Sequence, residues 1–250
     1  MGRETDREAI ANLERRLEET IDDFGPPECG RTAAIIAPNV GNEPVFIKNI
    51  SNVSTALPHL GFTRLYIVSS EEGLAEASSP PALAFKYFRG YAPTKRGMED
   101  CVSGMGKAVK QGDILAIYMT GHGYRSFFGK SRMTLENGTL TDRALARMLH
   151  EALSQKEPIG RIVVADQCYG LGFVRKLESE VYRGIAASEE GTSDRTFSRA
   201  FFRALIRKRN LKGAFELAKQ NDYFSRKGEH VLAFVSSAER KGYTHIRGAT

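Results

Sequence analysis

Six apolar runs punctuate the chain: TAAIIAP (32–38), TRLYIVSS (63–70), DILAIYMTG (113–121), RIVVADQ (161–167), RGIAASEE (183–190) and HVLAFVSSA (230–238). Each is short and bounded by polar residues, glycine or proline, and most are rich in β-branched residues, which marks buried strands. Between the runs, apolar residues recur at helical spacing. The stretch 44–59 reads as a helix that stops before Gly61. Residues 94–112 form a helix with Thr94 as its N-cap and Met98, Cys101, Met105 and Val109 on the apolar face. Further helices are predicted at 141–154, capped by Thr141, at 194–208 and at 211–220. Asn137-Gly138, set between two short extended arms, predicts a hairpin. The segment 71–94 carries Pro80, Pro81, Gly90 and Pro93 and is expected to be irregular. Strands alternating with helices predict an α/β fold around a largely parallel sheet of six strands.

Residues 5–23 have an amphipathic pattern of their own, with Ile10, Leu13, Leu17 and Ile21 on one side and Thr5 with Glu8 as a capping box. The linker FGPPECG follows. The expected organisation is therefore a helical extension and linker over 1–30 and one domain over 31–250. The extension is a candidate for docking on the domain or on a partner.

Composition narrows the class. Of 250 residues, 41% are hydrophobic and 26% charged, as in an ordinary globular protein. Cys29, Cys101 and Cys168 are too few for a disulfide framework, and the polar opening residues do not read as a secretory signal, so a reducing cytoplasm is expected. No apolar run approaches the roughly 20 residues that cross a bilayer, so no membrane partner is expected. The net charge is +6. Much of the excess recurs as Arg195, Arg199, Arg203 and Arg207, opposite Phe197, Phe201, Ala204 and Leu205, which reads as the solvated face of a helix. No zinc-finger spacing or aromatic-interleaved basic motif is present, so a nucleic-acid partner is not expected. The sequence requires no cofactor or metal and leaves calcium dependence open.

Two of the apolar runs end in reactive groups. ILAIYMTGHG delivers His122, and RIVVADQCYG delivers Cys168. In open parallel sheets functional groups gather outside the carboxyl ends of the strands, and consecutive strands joined by a crossover of this length tend to be neighbours. Thiol and imidazole would then share a cleft. A thiol attacks as thiolate and its leaving amine needs a proton, and histidine can serve both needs. Gly123 lets the backbone approach a substrate carbonyl, so its N–H and that of Cys168 are the candidate oxyanion donors.

The pair, an apolar strand before His-Gly and an apolar strand before acid-x-Cys-x-Gly, resembles the caspase-fold cysteine peptidases, including metacaspases, legumains, clostripain and gingipains. The caspase signature has Gln-Ala-Cys-x-Gly with its histidine about 50 residues upstream; here 46 positions separate 122 from 168. The resemblance spans most of 32–238 and implies a caspase-like three-layer sandwich, helices on both faces of the sheet, and cysteine-type endopeptidase activity on peptide or protein substrates. Where caspases carry glutamine two residues before the cysteine, this chain carries Asp166. Residue i−2 shares a face with residue i in a strand, which places Asp166 beside Cys168. The resemblance then implies a basic residue, arginine or lysine, before the cleaved bond, with a legumain-like preference for asparagine as the alternative. It also implies that Glu189, Glu190 or Asp194 supplies a second pocket acid. The stretches 124–133 and 174–184 offer Arg125, Lys130, Arg132, Arg175, Lys176 and Arg183 as self-processing sites.

Other classes remain. One is a non-catalytic interaction module on the same fold, although such a module has no chemical need for both thiol and imidazole. Another is a nucleotide-binding protein using GLGF (170–173), but that stretch lacks the third glycine and the Lys-Ser/Thr of phosphate loops.

Overall fold

A computed structural model of the chain describes residues 24, 29–38, 43–78, 84–127, 129–154, 156, 160–177, 183–186, 197–221 and 233–236. The predicted helix at 5–23 lies outside them. The elements are β1 (Arg31–Ala37), α1 (Pro44–His59), β2 (Arg64–Ser69), α2 (Glu71–Ala77), β3 (Tyr87–Tyr91), α3 (Lys95–Ala108), β4 (Ile114–Gly121), β5 (Gly123–Arg125), β6 (Ser131–Leu135) and β7 (Gly138–Thr141). They continue with α4 (Asp142–Leu153), β8 (Gly160–Gln167), α5 (Gly170–Leu177), β9 (Arg183–Ala186), α6 (Phe197–Lys208), α7 (Leu211–Asn221) and β10 (Ala233–Ser236).

The central sheet runs β10-β9-β8-β4-β1-β2-β3, and every neighbouring pair is parallel except β10 with β9. This is a mixed α/β fold with a mostly parallel sheet. It has seven strands among the described residues rather than six. The extra strand, Tyr87–Tyr91, and the short helix Glu71–Ala77 both fall in the segment expected to be irregular. The strand escapes a hydrophobicity reading because it is an edge: Tyr87 is 40% exposed and Arg89 and Gly90 face solvent. Edge strands need no alternating apolar set. The aromatic rings hold it in place, with Tyr87 5.3 Å and Tyr91 6.5 Å from Tyr66 of β2.

Successive residues of each central strand enter different cores. Ile35, Ile67, Tyr118 and Val164 join Phe46, Ile50 and Val53 of α1 and Phe201 and Leu205 of α6. Ile36, Val68, Met119 and Ala165 join Met98 and Met105 of α3, Leu149 of α4 and Val174 of α5. Both faces of the sheet are therefore covered, as the continuous apolar runs of a parallel sheet require. Burying each of these large side chains contributes about 1.5–3 kcal/mol.

Local signals hold the helices in register. The Thr94 hydroxyl accepts from Gly97 N at 3.0 Å and the Thr141 hydroxyl from Ala144 N at 3.1 Å, as both caps were expected to do. The Asn137-Gly138 hairpin joins β6 to β7 in a separate three-stranded antiparallel sheet with β5. On α6, Arg199, Arg203 and Arg207 are exposed opposite buried Phe197, Phe201, Ala204 and Leu205, so the arginine stripe is the outer face of an amphipathic helix. Phe24, the first linker residue, is buried against the domain: it is 1% exposed, its ring meets Phe62 edge-on at 6.0 Å, and the Arg209 guanidinium lies 5.6 Å from the ring centroid. No helix among the described residues is long and apolar enough to cross a membrane.

Candidate active site

Strands β4 and β8 pair in parallel without a break from Ile114↔Gly160 to Gly121↔Gln167. His122 and Cys168 are the residues that follow this last pair on the two strands. The two motifs thus meet at the carboxyl edge of adjacent strands. Gly123 lies against the Cys168 carbonyl oxygen so closely that a β-carbon at 123 would collide with it. The candidate oxyanion donors Gly123 and Cys168 therefore belong to touching backbone segments.

Cys168 is half-buried and carries a free thiol. It stands in a sharp strand-to-helix turn: β8 ends at Gln167, Tyr169 adopts a left-handed conformation with φ 57°, and α5 begins at Gly170. A non-glycine residue in that region is uncommon, and such outliers cluster where a turn must project one side chain. Cys101 differs in kind. It is buried in the α3 core, as its apolar stripe predicted, and burial pushes its thiol up to about 12. Cys29 is a half-buried free thiol.

His122 extends from the end of β4, and its side chain is half-exposed. Helix α1 reaches it from the side. Glu43, the residue before Pro44, places Oε1 2.7 Å from His122 Nε2, and the Phe46 ring meets the imidazole edge-on at 5.1 Å. Nothing in the local sequence singles out Glu43. It becomes a neighbour only because α1 packs across the end of β4, and its one sequence signal is an acid just ahead of a helix-opening proline.

Asp166, two residues before Cys168, is completely enclosed rather than open to a pocket. Its Oδ2 accepts from Asn49 Nδ2 of α1 at 3.3 Å, from the Tyr118 hydroxyl of β4 at 3.0 Å, and from the Ser198 hydroxyl of α6. Asn49 Nδ2 also donates to the Thr120 hydroxyl at 3.2 Å. Burial, followed by the adjacent Asp166 carboxylate, pushes the Tyr118 phenol well above its ordinary value, so it stays a proton donor in this network. Four elements are thus tied together at one carboxylate. Asn49, Tyr118, Thr120 and Ser198 were not singled out from the sequence, because partners from distant elements leave no spacing signal.

The proposed second acids, Glu189, Glu190 and Asp194, lie outside the described residues. Most of the suggested processing residues occupy regular structure instead of open loops. Arg125 and Arg132 belong to the paired strands β5 and β6, Arg175 and Lys176 to the last turn of α5, and Arg183 to β9. Only Lys130 sits in a turn, closed by Ser126 N donating to its carbonyl at 2.9 Å. The GLGF stretch forms the start of α5. No group of three or more metal-ligating side chains occurs among the described residues. A cleft of about 440 Å³ opens between α3 and α4, lined by Glu99, Val102, Met148, Glu151 and Lys156, and none of the candidate residues borders it.

No family model matches the chain, and no curated protein matches it. Among solved structures it is similar to the crystal structure of protein GSU0716 from Geobacter sulfurreducens, a structural genomics target. That likeness has 12% identity and a TM-score of 0.50, covering 83% of this chain and 93% of that one. It speaks to the fold alone and supports the mixed α/β architecture.

Proposed function

We propose that the protein is a caspase-like cysteine endopeptidase with Cys168 as nucleophile and His122 as proton carrier, cleaving after arginine or lysine. The observation that supports this reading is the β4–β8 register, whose last pair, Gly121 with Gln167, is followed by His122 on one strand and Cys168 on the other. The mostly parallel sheet covered on both faces supports the three-layer sandwich that accompanies it.

In this mechanism His122 takes the thiol proton and the Cys168 sulfur attacks the scissile carbonyl carbon. The carbonyl oxygen becomes an oxyanion held by the N–H groups of Gly123 and Cys168. Collapse of the intermediate breaks the C–N bond, and His122 gives its proton to the departing amine. A thioester remains. Water, deprotonated by His122, attacks it and releases the acid, and the proton returns to the thiol.

Asp166 is the candidate for the charge that selects a basic residue, which requires Asn49, Tyr118 or Ser198 to give way to the substrate cation. A substrate aspartate would be repelled. Arginine has the geometric advantage because its planar fork can take a carboxylate bidentately and also reach a second acid, for which Glu189, Glu190 and Asp194 are the candidates. The enclosure of Asp166 favours one second reading, an asparagine-specific peptidase, because a neutral amide can replace a donor without carrying charge into a closed space.

The test is a fluorogenic peptide panel varied at the residue before the cleaved bond, run on the wild type and on Cys168→Ala. Turnover of arginine and lysine peptides well above asparagine, with aspartate essentially uncleaved, supports the basic-specific enzyme. An asparagine preference replaces it with the second reading. Absence of cleavage in the wild type leaves the non-catalytic module.

A further inference from the structure

We infer that Glu43 is a positioning residue that fixes which ring nitrogen of His122 meets the thiol; this rests on the dyad reading above. The first turn of α1 presents two groups to the imidazole. The Glu43 carboxylate lies 2.7 Å from Nε2, and the Phe46 ring lies edge-on at 5.1 Å and 84°. A carboxylate only accepts, so the Nε2 in contact with it carries the proton. In the neutral imidazole Nδ1 is then the bare nitrogen, and it alone can take the thiol proton and pass it to the leaving amine. Phe46 bounds the ring from the side and Glu43 holds it by an edge, so both rotation and tautomer are set by one helix end. The pair is half-exposed on both sides, where water screens the attraction. Its role is therefore geometric, and replacing Glu43 should leave folding unchanged.

The experiment combines turnover with ring-nitrogen NMR of histidine-labelled protein, in wild type, Glu43→Ala and Glu43→Gln. The His122 signals among the five histidines are assigned from their loss in His122→Gln. Glu43→Ala should lower kcat by about tenfold to a hundredfold with KM little changed, as expected when a reacting group is misplaced. In the same variant the Nε2-protonated signature should give way to a mixture of tautomers. Glu43→Gln keeps an acceptor oxygen in the same place and should restore most of both. An Ala variant with the wild-type spectrum overturns the inference, as does a Gln variant as defective as the Ala one in both readouts. The spectrum reports on Glu43 even in a protein that cleaves none of the peptides, so failure of the peptidase reading and failure of this inference are distinguishable.

Discussion

Gly123 stands against the carbonyl oxygen of Cys168, with no room between them for a side chain. The obstacle is main chain, which cannot swing aside as a flexible side chain would. Gly123→Ala should therefore push the two strand ends apart. The expected cost is about 1–3 kcal/mol of stability, as for overpacking elsewhere, together with a loss of turnover larger than the fall in stability explains. Chemical denaturation and peptide cleavage measured on the same preparation check this; an Ala variant as stable and active as the wild type would mean that the strand ends are not in contact.

The three thiols should separate cleanly in labelling. Cys168→Ala should abolish both turnover and iodoacetamide modification at the site. Cys101, buried and with its thiol pushed up to about 12, should react only after denaturation. Cys29→Ala and Cys101→Ala should retain activity. Peptide mapping of the labelled protein gives the answer, and a Cys168→Ala protein with full turnover would end the cysteine-peptidase reading.

Alkali should weaken the fold through identifiable groups. Burial pushes the Cys101 thiol up to about 12, and burial with the neighbouring Tyr87 and Tyr91 pushes the Tyr66 phenol up to about 12. In the unfolded chain these groups lose their protons near about 8.5 and 10. Between those values and about 12 the folded state binds the protons and the unfolded state does not, so stability falls as pH rises through that window. Below it, neither group contributes a pH dependence. Cys101→Ala should flatten the lower part of the decline, whatever its effect on the absolute Tm; an identical slope in the variant would remove Cys101 as its source.

Asp166→Asn should lower turnover of arginine and lysine peptides far more than it lowers thiol labelling of Cys168. Ser198→Ala removes one of the three donors to Asp166 and leaves the other two. A lost hydrogen bond to a buried charged group costs about 1.5–3 kcal/mol, so this variant should be measurably less stable. Its kcat/KM for basic peptides should be altered less than that of Asp166→Asn. Equal losses of cleavage and labelling in Asp166→Asn would show that the carboxylate supports the turn at Cys168 instead of selecting the substrate.

The strands that carry His122 and Cys168 were legible because a buried parallel strand is a nearly continuous apolar run, and one leads into His122-Gly123 and the other into Cys168-Tyr169-Gly170. Thr94 and Thr141 were legible as caps for an equally local reason, a hydroxyl three residues before an unpaired backbone N–H. Tyr87–Tyr91 was not, since an edge strand with an arginine and a glycine satisfies no alternation rule. Glu43 and Asn49 were not legible as site residues either. Both act only through the packing of α1 over β4 and β8, a relationship between residues more than 70 positions apart. The enclosure of Asp166 was not legible either, since it depends on Tyr118 and Ser198, which alternation in β8 cannot foresee.

The unbroken pairing of β4 with β8 also determines which insertions and deletions the chain can absorb. The stretch between the two strands contains the β5–β7 sheet, α4 and their connections, and its length can change without moving the two strand ends relative to one another. The pairing, not the interval of 46, sets where the two strand ends meet. Inside the strands the arithmetic is strict. One residue added within β8 would turn the thiol to the opposite side of the sheet, and two would restore its side but carry it roughly 7 Å beyond the imidazole. Length variation among working versions of this chain should thus fall in the connections between the elements from β5 to β8 and spare the paired strands.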